Sequence, residues 1–248
     1  MRRVLARSHG AGRQGRVWDR RAAQWSQGTL PGLATVIAAV VGEAGSVTGC
    51  SVVDLGCGPG EVGLTLVRAG ATLLAVDVSQ RMIALLEERV VRDRLAGVAT
   101  LVCAIEDLAL PERSVDLVVS SYALHHLRDK DKERVVARAA RWLRPGGRLI
   151  VGDMMFGRGM ERRDRAIIGG KVIALARRGP PGWWRIVKNG WRFLTRTRER
   201  PVSMRRWEEI FGAAGLIEVR AYPVVAEAAV VSGRVQEAAP PAAVELER

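Results

Sequence analysis

The sequence predicts an α/β fold in which a mostly parallel sheet carries helices on both faces. Three observations lead there. From Cys50 to Asp153 short apolar runs alternate with helical patterns of roughly 10–15 residues, the rhythm of repeated strand–helix crossovers. The first run, Cys50–Leu55, breaks into a loop with glycines at alternate positions, Gly56, Gly58 and Gly60, and then into a helical pattern. The second run ends in an acidic residue, Asp77, 21 positions after Gly56.

The elements follow in order. Residues 1–15 hold Arg, Gly, Ser and Ala without apolar periodicity and read as a loose arm. Val17–Trp25 can form a short helix, and Leu30–Val41 a second, apolar one beginning after Pro31; Gly42–Gly49 reads as a linker. Cys50–Leu55 is the first strand, Gly60–Ala69 the helix leaving the glycine loop, and Thr72–Asp77 the second strand. Ser79 is a good N-cap for a helix with Met82, Leu85, Leu86 and Val90 on one face. Val98–Cys103 and Val115–Ser120 are the third and fourth strands. Asp129–Leu143 is a charged helix burying Val135, Val136, Ala139, Ala140 and Leu143. Pro145-Gly146-Gly147 stops it, and Arg148–Asp153 is the fifth strand. After Phe156 the rhythm ceases for about 45 residues. Trp183–Leu194 is an amphipathic stretch, Ser203 caps a helix ending at Gly215, and Leu216–Val225 and Glu227–Gly233 are strands joined too tightly to pair other than antiparallel. The expected organisation is an N-terminal arm with helices (1–49), one domain (50–235) with a basic helical insertion (156–202), and a disordered tail (236–248).

Glycines allow positive φ and remove Cβ, so a ligand can lie against the backbone at the carboxyl end of a central strand. Two common ligands are disfavoured. A dinucleotide loop carries Gly or Ala where this chain has Glu61, and an acidic side chain there repels a diphosphate. No Lys-Ser/Thr follows, which removes the P-loop. Asp54 adds a second carboxylate before the turn, so a ligand with a cationic end suits the loop better. Asp77 stands where a strand-end carboxylate accepts both hydroxyl protons of a ribose.

Four stretches in order, Asp54-Leu55-Gly56-Cys57-Gly58-Pro59-Gly60, Ala75-Val76-Asp77-Val78-Ser79-Gln80-Arg81-Met82, Val115-Asp116-Leu117-Val118-Val119-Ser120 and Leu143-Arg144-Pro145-Gly146-Gly147, resemble class I S-adenosylmethionine-dependent methyltransferases. The resemblance is strong over residues 50–153 and weaker over Ser203–Gly233. It implies a Rossmann-like, doubly wound sheet of seven strands in the order 3-2-1-4-5-7-6, the last antiparallel. It also implies S-adenosyl-L-methionine as cofactor, with Asp54, Gly56, Cys57, Gly58, Gly60, Asp77, Val78, Met82, Ile105, Glu106 and Ser120 around it. Asp54 would support the loop, and Val78 and Met82 would pack on the adenine. The family usually places an acidic residue where this chain has Ala104, so either Glu106 or Asp107 takes over the adenine contact or the backbone around Ile105 carries it; backbone with Ile105 packing is the preferred expectation.

A methyl sulfonium is already activated, so orientation of the acceptor matters most, with a general base for an acidic one. His125 and His126, just past the fourth strand, are the candidate bases, and Tyr122 a candidate pocket residue. No His/Cys/Asp cluster has metal-ligand spacing, so no metal is expected. The three cysteines, Cys50, Cys57 and Cys103, read as small buried thiols.

The formal charge of +13 is uneven: residues 1–21 carry +6 and residues 156–206 carry +12. The excess therefore belongs to the arm and the insertion. Trp183, Trp184 and Trp191 among Arg and Lys allow a lid over an apolar small molecule, an interfacial helix at 183–194 on anionic lipid, or a nucleic-acid surface. The lid is preferred; no recognised nucleic-acid module accompanies the third reading. No stretch reaches the roughly 18 apolar residues of a membrane span, and no signal-peptide pattern opens the chain, so a cytoplasmic enzyme is expected. The expected reaction is methyl transfer to a small, apolar acceptor. The alternative is a membrane-surface or nucleic-acid-associated binding protein that keeps the fold.

Overall fold

In the computed structural model residues 15–20, 32–157, 162–177 and 200–237 are described. Seven strands form one sheet: β1 (Ser51–Leu55), β2 (Thr72–Asp77), β3 (Val98–Val102), β4 (Val115–Ser121), β5 (Leu143–Met154), β6 (Ile217–Pro223) and β7 (Ala228–Arg234). Their order is β3-β2-β1-β4-β5-β7-β6. β1 to β5 run parallel, and β7 pairs antiparallel with both β5 and β6. The doubly wound, Rossmann-like sheet with a reversed last strand is therefore present.

Helices α1 (Leu33–Ala44), α2 (Glu61–Arg68) and α3 (Gln80–Arg92) supply the core on one face, where Val36, Val40, Val62, Leu66, Ile83 and Leu86 pack on Val52, Leu117 and Ile150. The other face takes α4 (Asp129–Trp142) and α6 (Met204–Ala213), whose Val135, Val136, Trp207 and Phe211 cover Val53, Val118 and Val151. Strands buried on both faces explain why these runs are continuously apolar. Gly152 permits a close approach of α1 to the sheet: a Cβ there would stand 2.4 Å from Val40 Cγ2.

Capping follows the sequence. Ser79 Oγ accepts from Met82 N at 3.1 Å and Ser203 Oγ from Arg206 N at 3.3 Å. Three elements differ from expectation. β5 starts at Leu143, which pairs with Val115 before an irregularity carries the register on to Leu117↔Arg148. Leu143 thus belongs to the strand, not to the helix, and Pro145-Gly146-Gly147 lies inside β5. Helix α1 runs on to Ala44, into the expected linker. A further helix, α5 (Arg162–Ala176), occupies a stretch without visible periodicity. The expected 183–194 helix, most of the N-terminal arm and the tail from residue 238 lie outside the described residues. Among the described residues no helix is long and apolar enough to cross a membrane.

Candidate active site

The parallel strands end at one edge, and the cleft opens there. Its walls come from the β1–α2 loop, the β2–α3 loop, the turn after β3, the turn after β4 and α1. About 920 Å³ of space lies between and in front of these walls, part of it open solvent.

The glycine loop is built as its composition requires. Gly56, Gly58 and Gly60 have φ of 72°, 51° and 87°. Each resists a side chain for a different reason. A Cβ on Gly56 would lie 2.3 Å from Ala123 Cβ and one on Gly60 2.8 Å from Leu64 Cγ, whereas one on Gly58 would meet nothing within 4 Å. Gly58 therefore faces open space at the cleft wall. Gly56 and Cys57 both donate to Val76 O, at 2.8 and 3.0 Å, which fastens the loop to β2.

Two carboxylates organise the loop. Asp54, 1% exposed, accepts from Gly63 N at 3.0 Å. Burial pushes its pKa up to about 7; the Gly63 amide opposes the rise and the Asp77 charge adds to it. Asp77 Oδ2 accepts from Gly58 N at 2.9 Å and its Oδ1 from Ser79 N at 2.8 Å. Burial raises its pKa too, against those amides, with Asp19 adding to the rise. The Cys57 thiol is held well above its ordinary value by burial and by Asp54 and Asp77, so it stays protonated.

Glu61 corrects one step of the sequence argument. It lines the cleft, but its carboxylate pairs with Arg89 at 2.7 Å, and Arg89 also donates to Pro59 O at 2.9 Å. Its charge is answered locally, so the case against a diphosphate rests on Asp54.

Of the remaining residues expected around the cofactor, Cys57, Val78, Met82, Ile105 and Glu106 line the cleft, together with Ala104. Burial raises the Glu106 pKa. Arg138 supports the turn after β3 by donating to Ile105 O at 3.3 Å and to Glu106 O. Gly60 caps α2 behind the loop instead of lining the cleft. Ser120 is turned away: it is fully buried and donates to Leu55 O at 2.8 Å. Its neighbour Ser121 lines the cleft, and the Ser121 hydroxyl, itself buried, forms no hydrogen bond among the described residues. Alternation along β4 separates the two.

The turn after β4 separates the histidines as well. His125 is buried: its N–H donates to Asp153 Oδ2 at 2.9 Å and its Nδ1 lies 2.5 Å from Asp153 Oδ1. Burial works against the Asp153 charge, but the His125 ring and the Met154 amide hold its pKa below the usual carboxylate range. His126 lines the cleft, with its ring 3.9 Å from that of His125 and 4.9 Å from Trp18, centroid to centroid. Tyr122 lines it too, from a backbone with φ of 50°. That conformation costs an L-residue roughly 1–2 kcal/mol. Its phenol is pushed up to about 12 by burial, with Glu227 and Asp153 adding to the shift.

Two groups were not foreseen. The helical residues 15–20 lie across the cleft: Asp19 Oδ1 accepts from Ser79 Oγ at 2.6 Å and from Arg81 N at 3.2 Å, and Trp18 lines the site. Lys132, fully buried, donates to Leu127 O at 2.9 Å, Arg200 O at 2.7 Å and Asp129 Oδ1 at 3.2 Å, while Arg200 N donates to His125 O at 2.7 Å. The chain leaving the insertion is thereby tied to the turn that carries His126. Among the described residues no group of acidic, His and Cys side chains could hold a metal ion.

Residues 52–147, which contain the loop, both carboxylates and the turn after β4, match a family described as a methyltransferase domain. Over these residues the chain is similar to methyltransferase domains. It is 32% identical over 130 residues to an uncharacterized methyltransferase of Anoxybacillus flavithermus, the match covering 50% of this chain and 55% of that one. It is 34% identical over 112 residues to the 27-O-demethylrifamycin SV methyltransferase of Amycolatopsis mediterranei, covering 43% and 39%. Among solved structures, phosphoethanolamine N-methyltransferase 2 of Haemonchus contortus in complex with S-adenosyl-L-methionine shares its fold. The TM-score is 0.61 at 16% identity, covering 81% of this chain and 52% of that one. The chain thus spans about half the length, or less, of these relatives.

Proposed function

We propose that the methyltransferase domain transfers a methyl group from S-adenosyl-L-methionine to a small, predominantly apolar acceptor. The observation that carries this reading is the seating of Asp77. Both carboxylate oxygens are fixed by amides of two successive loops, Gly58 and Ser79, on the wall of the cleft. A carboxylate offers about four lone-pair sites. Two remain for a pair of neighbouring hydroxyls, the chemistry of a ribose. Gly58 leaves the adjoining wall free of side chain, and Val78, Met82 and Ile105 supply an apolar slot beside it. Asp54, buried and reluctant to ionise, suits a ligand that brings its own positive charge. The residues present therefore fit the cofactor.

The bound cofactor would supply an activated methyl group on a positively charged sulfur. The chain's own part is to exclude water and to hold the acceptor in line. Trp18, Leu33, Ile37 and Leu127 provide apolar wall for an apolar acceptor. His126 is the histidine placed to take a proton from an acidic acceptor, while His125 is committed to Asp153. Residues 156–202 serve in this reading as the lid.

The test is incubation with S-adenosyl-L-methionine and a set of small hydroxylated and amine-bearing apolar compounds, read as S-adenosylhomocysteine formed. Product with at least one member is expected. No product with any of them, together with no binding of S-adenosylhomocysteine, would refute the reading.

A further inference from the structure

We propose that Tyr122 is the residue that positions the methyl acceptor, and that the acceptor it selects is a neutral, hydroxylated aromatic compound. The proposal rests on the cleft being the methyl-transfer site.

The backbone gives the first argument. Tyr122 sits directly after β4 at φ 50°, a left-handed conformation that suits glycine or asparagine and penalises a bulky aromatic. Its N–H is tied to Gly152 O at 2.9 Å, so the strained turn is anchored to the neighbouring strand. Strain of this kind persists where the side chain is needed in one place.

The ring gives the second. It is partly buried on the cleft wall and meets His125 edge-on, with centroids 6.3 Å apart and planes at 88°. Behind His125 stands Asp153, bonded through three hydrogens, so the surface against which Tyr122 rests is itself fixed. The Tyr122 hydroxyl forms no hydrogen bond among the described residues.

The surroundings define the ligand. Burial, with the charges of Glu227 and Asp153 adding to it, keeps the phenol protonated, so it is available as a hydrogen-bond donor. The same charges, with that of Asp77 on the cleft wall, disfavour a carboxylate or phosphate brought in beside it. Trp18, Ile37 and Leu127 offer flat apolar surface. What these features accept together is an uncharged ring bearing an oxygen that takes the Tyr122 proton in a hydrogen bond.

The experiment uses the full chain saturated with S-adenosylhomocysteine and titrated calorimetrically with 2-naphthol and with 2-naphthoate, for wild type and Tyr122→Phe. Thermal unfolding of Tyr122→Gly is measured alongside. Wild type is expected to bind 2-naphthol, and Tyr122→Phe to bind it about fivefold less tightly, the loss of one neutral hydrogen bond. 2-Naphthoate is expected to bind about tenfold less tightly than 2-naphthol. Tyr122→Gly, which keeps the backbone conformation and removes the ring, should still unfold cooperatively and should lose the 2-naphthol site. Equal 2-naphthol affinity in Tyr122→Phe, tighter binding of 2-naphthoate than of 2-naphthol, or no binding of 2-naphthol by wild type would each overturn the proposal. Titration with S-adenosylhomocysteine alone separates the two levels: if wild type binds it, such a result removes only the role of Tyr122, and if wild type does not, the reading of the whole cleft falls.

Discussion

Asp54 makes the stability of this protein depend on pH in a direction opposite to that of most carboxylates. Its pKa stands at about 7 in the fold against 3.8 for an aspartate in water, because burial outweighs the single amide from Gly63. A raised pKa contributes stability that is complete below 3.8 and is lost as the pH climbs through about 7. The shift of roughly three units corresponds to about 4 kcal/mol across that window. Asp77 and Glu106, also raised, act in the same sense, whereas Asp153 and Asp116, both lowered, act only at lower pH. Asp54→Asn removes the titration and keeps an oxygen for Gly63. Urea unfolding at several pH values between 4.5 and 7.5 is the assay. Wild type should weaken steadily as pH rises, and Asp54→Asn should weaken less, the gap between the two profiles changing by up to about 4 kcal/mol. Parallel profiles would refute the argument. A cationic ligand end beside Asp54 favours its charged form, so binding of S-adenosylhomocysteine at pH 6 should release close to one proton, read from calorimetry in buffers of different ionisation enthalpy.

Two further outcomes follow from the geometry. Gly56→Ala should destabilise the fold by roughly 2–3 kcal/mol in urea unfolding, since its Cβ would press on Ala123 at positive φ; Gly58→Ala, with nothing within 4 Å, should cost only about 1 kcal/mol yet weaken S-adenosylhomocysteine binding. Lys132→Met should cost about 2 kcal/mol or more, chiefly because it strips the Leu127 and Arg200 carbonyls of their buried donor, and should raise amide exchange at residues 124–128 in hydrogen-exchange mass spectrometry.

Much of this architecture is legible in the sequence because local chemistry repeats it. Strands buried on both faces leave continuous apolar runs, and the turns that end them need Gly or Asp, so β1 to β4 and the loop at Gly56 can be read directly. The rest depends on partners far along the chain. Nothing around Glu61 announces Arg89, 28 residues away, and nothing in the arm announces that Asp19 will bond Ser79, 60 residues on. Ser120 and Ser121 differ only in which face of β4 they take, and a one-residue choice at a strand end reverses the assignment. Helix α5 escapes notice because Gly169-Gly170 interrupts it and no apolar stripe marks a buried side. The positive φ of Tyr122 leaves no trace either, since the residue chosen there is one that local preference argues against. The split of the two histidines required Asp153, whose place at the end of β5 beside β4 is a property of the sheet.

The central claim is that the cleft at the carboxyl edge of β1 and β2 is a cofactor site organised by Asp77. The direct measurement is calorimetric titration of wild type and Asp77→Ala with S-adenosylhomocysteine. One-to-one binding by wild type is predicted, with a loss of about 100-fold in Asp77→Ala, the equivalent of roughly 3 kcal/mol for two charge-assisted hydrogen bonds. Equal affinity in the two proteins, or no binding by wild type, would contradict it.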